Sequence, residues 1–362
     1  MTLALEDVTL VVGNDVHIHQ TSLTLVAGTL NVLLGPTLSG KTSLMRLMAG
    51  LDRPTTGRVI WNGTDVTGVA VQKRNVAMVY QQFINYPAMS VYDNIASPLR
   101  LAGLRKADLD RKVRESAEMM KLTAMLDRKP LELSGGQQQR CALARALVKG
   151  ADLVLLDEPL ANLDYKLREE MRSEIPKIFA ESGSIFVYAT TEPSEALLLG
   201  GKTASLFEGR VTQFDATLEV YRRPLNAVTA RVFSDPPMNF VSVAKAGNKL
   251  LFGEGQSTAA VGKLASLEDG RYLAGFRPNH LVLECDEGDF LNFSVEVTVS
   301  EITGSESFVH VIHGGERWVS LVHEVHEPEI GSNITVHVSP AHLYIFDENE
   351  NLVAAPEFAA AA

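Results

Sequence analysis

Short apolar runs recur along the first part of the chain, each ending in a polar or glycine-rich turn. Leu30–Leu34 (LNVLL) leads into such a turn and then into TSLMRLMAG, whose apolar spacing predicts a helix closing near Gly50. A second run, Leu153 to Leu156, ends in Asp-Glu-Pro, and a third, Ile185 to Tyr188, ends in Ala189-Thr190-Thr191-Glu192. Continuous apolar runs of this length with polar C-terminal ends predict buried strands of a parallel sheet.

Between the first two runs, Lys106 to Leu126 places Leu109, Val113, Ala117 and Met120 at helical spacing, so a helical insertion is expected over about 88–150. After Pro224 the period changes. Tyr272 to Arg277, Phe293 to Val299, Phe308 to Ile312 and Ile334 to Val338 alternate and are separated by Gly, Asn, Asp and Pro, which predicts an all-β, barrel-like domain. Arg222 to Met238, with Pro224, Pro236 and Pro237, is the natural linker. The expected organisation is one domain over 1–235, a second over 236–353 and a flexible tail over 354–362.

Composition narrows the partners. A formal net charge of −11 argues against a surface that neutralises nucleic-acid phosphates. Cys141 and Cys285 are too few for a disulfide framework, which fits a reducing compartment. No signal-peptide pattern and no stretch of about 18 apolar residues is visible, so a membrane role is expected to be peripheral, at the cytoplasmic face.

The chemistry sits at the ends of the apolar runs. Gly35-Pro36-Thr37-Leu38-Ser39-Gly40-Lys41-Thr42, followed by Ser43, matches the phosphate-binding loop in its required setting between strand and helix. Its glycines let backbone N–H groups and the helix N-terminus cup phosphates, Lys41 reaches the terminal phosphates, and the Thr42 hydroxyl can ligate magnesium. Asp157 can hold the magnesium shell, and Glu158 can polarise an attacking water as general base. Paired acids after a strand are, taken alone, often only a helix cap.

Leu133-Ser134-Gly135-Gly136-Gln137-Gln138-Gln139-Arg140, standing before a helical run, resembles the signature motif of ABC-type ATPases. In that family two nucleotide-binding domains pack head to tail, so the resemblance implies that Ser134, Gly135, Gly136 and Gln137 serve the ATP held by the partner. It also extends to Gln81 in Met78-Val79-Tyr80-Gln81, matching the glutamine that senses magnesium and water, and to Asp164 in Ala161-Asn162-Leu163-Asp164, the D-loop. The apolar-rich run 82–89 resembles the region near the groove for a permease's coupling helix, with ordinary core packing as the competing reading.

Tyr221-Arg222-Arg223-Pro224, Pro236-Pro237-Met238-Asn239-Phe240 and Gly275-Phe276-Arg277-Pro278-Asn279-His280 resemble the linker and OB-type (TOBE) regulatory domain of maltose-, polyol- and glycerol-phosphate-importer ATPases. The implied fold is an α/β P-loop NTPase core with a helical insertion, then an all-β OB-like domain for regulation or dimerisation. The implied activity is ATP hydrolysis with Mg2+, coupled to import of a sugar, polyol or glycerol-type solute. Implied partners are transmembrane permease subunits, a second ATPase subunit and, indirectly, a solute-binding protein. The histidines of the C-terminal region, His310, His313, His323, His326 and His337, read as packing or surface residues.

Two departures stand out. Where the family carries a switch histidine after the strand, this chain has Thr191, whose hydroxyl carries no positive charge. Where relatives place an adenine-stacking aromatic before a glycine, it has Val12-Gly13, with His17 and His19 nearby as substitutes. Loss of a stacking platform costs ~1–3 kcal/mol. Both departures fall on the chain's own phosphate-loop site while its signature is intact, so the expectation is an asymmetric pair with a non-identical ATPase. The alternatives are a homodimeric importer ATPase, a regulatory subunit that hydrolyses little, and an ABC ATPase of DNA repair or translation. The last would need a coiled-coil insertion or a basic surface, and neither is visible.

Overall fold

The computed structural model describes all residues except Phe83, Asn162, Glu254, Asp286, Glu287 and 358–362, and leaves the side chains of Glu181 and Lys263 aside. The expected tail, 354–362, thus lies outside the described residues from Phe358 onward, as do Phe83 of the run 82–89 and Asn162 of the run 161–164. Two compact units divide between Thr217 and Leu218.

The first unit opens on a hairpin that the sequence patterns above do not cover, β1 (Thr2–Val12) and β2 (Asp15–Val26). Its alternation is plain once the strands are known: Leu3, Leu5, Val8 and Leu10 point inward from β1, and Ile18, Leu23 and Leu25 from β2. The next elements are β3 (Leu30–Leu34), α1 (Lys41–Ala49), β4 (Thr56–Trp61), β5 (Thr64–Asp65) and β6 (Val76–Val79). They are followed by α2 (Val91–Leu101), α3 (Lys106–Met119), α4 (Gly135–Val148), β7 (Leu153–Asp157), α5 (Tyr165–Ser182), β8 (Ile185–Thr190), α6 (Pro193–Leu199), β9 (Lys202–Phe207) and β10 (Arg210–Ala216).

One sheet is antiparallel, in the order β2-β1-β4-β5. The other, β10-β9-β3-β8-β7-β6, is parallel except at β10. Helix α1 seals the space between them, burying Leu44, Met45, Leu47, Met48 and Ala49 in a core shared with Leu33, Leu155 and Val187. Parallel strands buried on both faces explain why β3, β7 and β8 read as unbroken apolar runs.

The helix expected over 106–126 is shorter. It ends at Met119, where Lys121 adopts φ +53°, and the Leu122 and Lys121 N–H groups bond back to Ala117 and Glu118 carbonyls. That is the paired closure of a Schellman turn, with lysine in the place usually held by glycine. Leu122 and Leu126 keep the apolar rhythm beyond the stop because both are buried.

The second unit starts ahead of the boundary placed at 235. Helix α7 (Thr217–Arg222) spans the division, and α8 (Ala227–Val232) lies within the second unit. Arg277 explains the earlier start. It is 4% exposed, donates to the Phe233 and Tyr221 carbonyl oxygens at 2.8 Å each, and lies 3.8 Å over the Tyr221 ring, so the segment read as linker is bound into this unit.

Its strands are β11 (Asn239–Ala246), β12 (Lys249–Gly253), β13 (Gln256–Ala259), β14 (Gly270–Phe276), β15 (Leu281–Val282), β16 (Leu291–Ile302), β17 (Glu306–His313), β18 (Glu316–His323), β19 (Asn333–Val338), β20 (Tyr344–Phe346) and β21 (Leu352–Ala354). They form two antiparallel sheets, β13-β12-β11-β14-β20-β21 and β15-β19-β16-β17-β18. Buried Trp318 stands edge-on to Phe276 and Phe293 at 5.1 and 5.2 Å, in the core of this unit. Among the described residues no helix is long and apolar enough to cross a membrane.

Candidate active site

The loop from Gly35 to Gly40 joins the C-terminal end of β3 to α1. A Cβ at Gly35 would lie 2.3 Å from the Leu206 carbonyl oxygen and 2.5 Å from Ser39 Oγ, and Gly40 holds φ +100°. A side chain at Gly35 would collide with backbone, and at Gly40 any residue with a Cβ would be strained by the positive φ. The Ser39 carbonyl accepts the Gly209 N–H at 3.0 Å, which ties the loop to the β9–β10 turn.

The Lys41 side chain is 5% exposed. Its Nζ donates to the Gly35 and Pro36 carbonyls at 2.7 and 3.0 Å and lies 3.6 Å from Glu158 Oε1. Thr42 donates its hydroxyl to Asp157 Oδ2 at 2.7 Å, and Gln81 Nε2 donates to Glu158 Oε2 at 2.9 Å. Burial lowers the Lys41 ammonium below the usual lysine range, against the opposing pull of Glu158 and Asp157. Burial raises the Asp157 carboxyl, with the Thr42 hydroxyl and Lys41 acting the other way. Glu158 sits at φ +46°, an unusual conformation for a residue with a side chain and one that clusters at functional sites. Its amide is fixed by the Ala189 carbonyl at 3.0 Å.

These groups face a cavity of about 620 Å³. Thr37, Ser39, Gly40, Lys41, Thr42, Ser43, Gln81 and Glu158 line it, whereas Gly35 and Pro36 contribute through the carbonyls that hold Lys41, and Asp157 stands behind Thr42. Ser39 Oγ is buried without a hydrogen-bond partner, an orphan polar atom inside the phosphate loop. A cluster of N–H groups at a helix N-terminus, a lysine and oxygen donors fits a polyphosphate with a hard divalent cation.

The other expected site residues lie elsewhere. Val12 ends β1, 52% exposed and paired with Asp15, and is not part of the cavity wall. Ser134 caps α4 in a reciprocal pair with Gln137, with Gly135 and Gly136 opening the helix, and Asp164 caps α5 by accepting the Leu167 N–H at 3.0 Å. None of these five lines the cavity. Thr191 is exposed just past β8, also off the wall, while neighbouring Thr190 is buried and donates to Glu195 at 2.6 Å. Arg172 binds Glu195 and Glu192 at 3.3 and 2.7 Å and so anchors the segment that follows Thr191.

The wall also includes Leu38 of the phosphate loop, and Val16, Glu208 and Gly209, which no motif marked, together with His17 and His19. The signal for the histidines was present in HIHQ: an apolar residue between two imidazoles is the mark of a strand with one buried and one open face.

Comparison with known proteins agrees with this geometry. The family model described as ABC transporter matches residues 18–161, and the TOBE domain model matches 274–346. The sn-glycerol-3-phosphate import ATP-binding protein UgpC of Cupriavidus pinatubonensis is 35% identical over 348 residues, covering 92% of this chain and 94% of that protein. UgpC of Vibrio vulnificus is 36% identical, covering 94% and 90%. An uncharacterized ABC transporter ATP-binding protein of Escherichia coli, YcjV, is 33% identical, covering 95% and 97%. Among solved structures, the ATP-binding cassette MJ0796, a post-hydrolysis dimer bound to ADP and Pi, superposes with a TM-score of 0.55 at 26% identity, covering 59% of this chain and 98% of that one. The chain belongs to the ATP-binding subunits of ABC transporters: it is an ATPase coupled to transport, with a C-terminal TOBE domain.

Proposed function

We propose that this subunit energises an importer of sn-glycerol-3-phosphate or a related sugar- or polyol-type solute, working at the cytoplasmic face against separate transmembrane permease subunits fed by a solute-binding protein. The names and full-length coverage of the relatives support the import direction and the solute class. The single structural observation behind the chemistry is the convergence of Lys41, Gln81 and Glu158 on one cavity wall.

In this reading the N-terminus of α1 and Lys41 hold the β- and γ-phosphates, and Glu158 accepts a proton from the attacking water, oriented by Gln81. Thr42, Asp157 and Gln81 would hold Mg2+, which when bound neutralises charge on the phosphate oxygens. Ser134, Gly135, Gly136 and Gln137 reach the nucleotide of a facing ATPase, and Asp164 lies at that interface. The TOBE unit serves regulation or dimerisation. Reconstituted with its permease, the Lys41→Ala subunit is expected to abolish ATP-driven uptake of glycerol-3-phosphate. Undiminished uptake would refute the assignment.

A second reading concerns the facing subunit. Thr191 and Val12 both stand off the cavity wall, whereas the Ser134–Gln137 cap is intact, which favours a non-identical ATPase whose site is completed by this chain's signature. Glu158→Gln here should then cost the assembled transporter less turnover than the matching change in the other subunit. Equal losses, or robust ATPase activity of this chain alone, would favour a homodimer.

A further inference from the structure

Phosphate groups are provided for at this cavity, but the flat face of a nucleobase needs a partner too, and among the described residues no Phe, Tyr or Trp lies on the wall. The only side-chain ring systems there among the described residues are the imidazoles of His17 and His19. Strand alternation explains their position. Ile18 is 1% exposed in the core, so its two neighbours project from the opposite face of β2, toward the cavity.

The strand also passes close to the phosphate loop. A Cβ at Gly40 would come within 3.2 Å of the His17 carbonyl oxygen, and one at Gly209 within 2.5 Å. His17 thus starts from backbone already in contact with the phosphate site. Its side chain is exposed, and neither imidazole has a side-chain hydrogen bond or ion pair among the described residues. His19 is half-buried, with its N–H bonded to the Gly209 carbonyl at 2.9 Å, whereas Val16, 47% exposed, adds apolar surface beside His17.

We propose that the His17 imidazole is the stacking platform for the purine base of the bound nucleotide, in place of an aromatic residue at the hairpin tip. The platform thereby moves from Val12, at the end of β1, to the open face of β2. Every base presents a π-face, so an imidazole stack gives affinity without reading the ring's edge. The inference rests on the cavity being the ATP site, and the test separates the two ideas.

The experiment is calorimetric titration of the full chain with ATP and, separately, with inorganic tripolyphosphate. His17→Ala should weaken ATP binding about tenfold, as expected for loss of one base stack, and leave tripolyphosphate within about twofold of the unaltered chain. Retained tripolyphosphate binding also shows that the variant is folded. His17→Phe should keep the ATP affinity, because stacking survives while hydrogen bonding and charge are gone. Unchanged ATP binding in His17→Ala would overturn the proposal. So would equal weakening of both ligands, which would place the imidazole on the phosphates, or failure of His17→Phe to bind ATP like the unaltered chain. Lys41→Ala is the separate control: if it leaves tripolyphosphate binding intact, the phosphate-site assignment fails instead.

Discussion

The Lys41 ammonium stands 3.6 Å from one oxygen of Glu158, and the Gln81 amide holds the other at 2.9 Å. Residues from three separate sequence motifs therefore meet at one carboxylate. In the proposed assignment, phosphate oxygens bind Lys41 fully only by competing with Glu158, which would couple nucleotide binding to release of the carboxylate toward water by charge.

Glu158→Gln removes that charge and leaves a side chain of the same size for Gln81 to meet. Steady-state phosphate release should fall by a factor of about 100 or more, the usual scale for a general base, while ATP affinity holds or rises as Lys41 loses its competitor. Hydrolysis at the original rate would eliminate Glu158 as the base.

Thr191→His restores a side chain that can donate to a phosphate oxygen and carry charge. If the segment after β8 closes on the nucleotide, ATPase activity should rise, by about tenfold at most. No rise in a variant that still binds ATP would show that Thr191 stays away from the reacting phosphate.

The two thiols should differ sharply. Cys141 is buried in α4, and burial pushes its thiol up to about 11, whereas Cys285 is exposed. At about pH 8 a disulfide-exchange reagent should label one thiol per native chain rapidly and the second only on unfolding. Fast labelling of both in the native protein would contradict the packing of α4.

Stability in mild acid should depend on His280. Its ring stacks on His342 at 3.9 Å, and burial, with His342 and Arg277 beside it, lowers its pKa from 6.5 to about 4. Between those values the unfolded chain binds more protons than the folded one, so stability falls as pH drops through this window and is fully present above it. The loss should be on the order of 1–2 kcal/mol after allowance for partial exposure. Denaturant midpoints measured across the window should flatten in His280→Gln, and an unaltered slope would assign the acid sensitivity to other groups.

Much of the catalytic half was legible because its chemistry is local. A phosphate loop needs strand, turn and helix in immediate succession, and Leu30–Leu34 with Gly35 and Gly40 shows all three. The N-terminal hairpin was harder: β1 and β2 carry register shifts near Leu5–Leu10, and each slip breaks the period-two signal. Lys121 hid the end of α3, because a lysine with positive φ carries none of the marks of a helix stop. Arg277 shows the limit most clearly. Its motif was visible, but its hold on Tyr221 and Phe233 depends on contacts 56 and 44 residues away, and no local pattern reports such a distance.

The cap at the start of α4 has a further effect. One lone pair of the Ser134 hydroxyl is committed to the Gln137 amide, and Gln137 in turn accepts the Ser134 N–H. A hydroxyl has a single proton, and with one lone pair engaged toward the helix that proton is left to turn to another acceptor. The arrangement that closes the helix end therefore leaves the hydroxyl proton of this exposed serine uncommitted among the described residues.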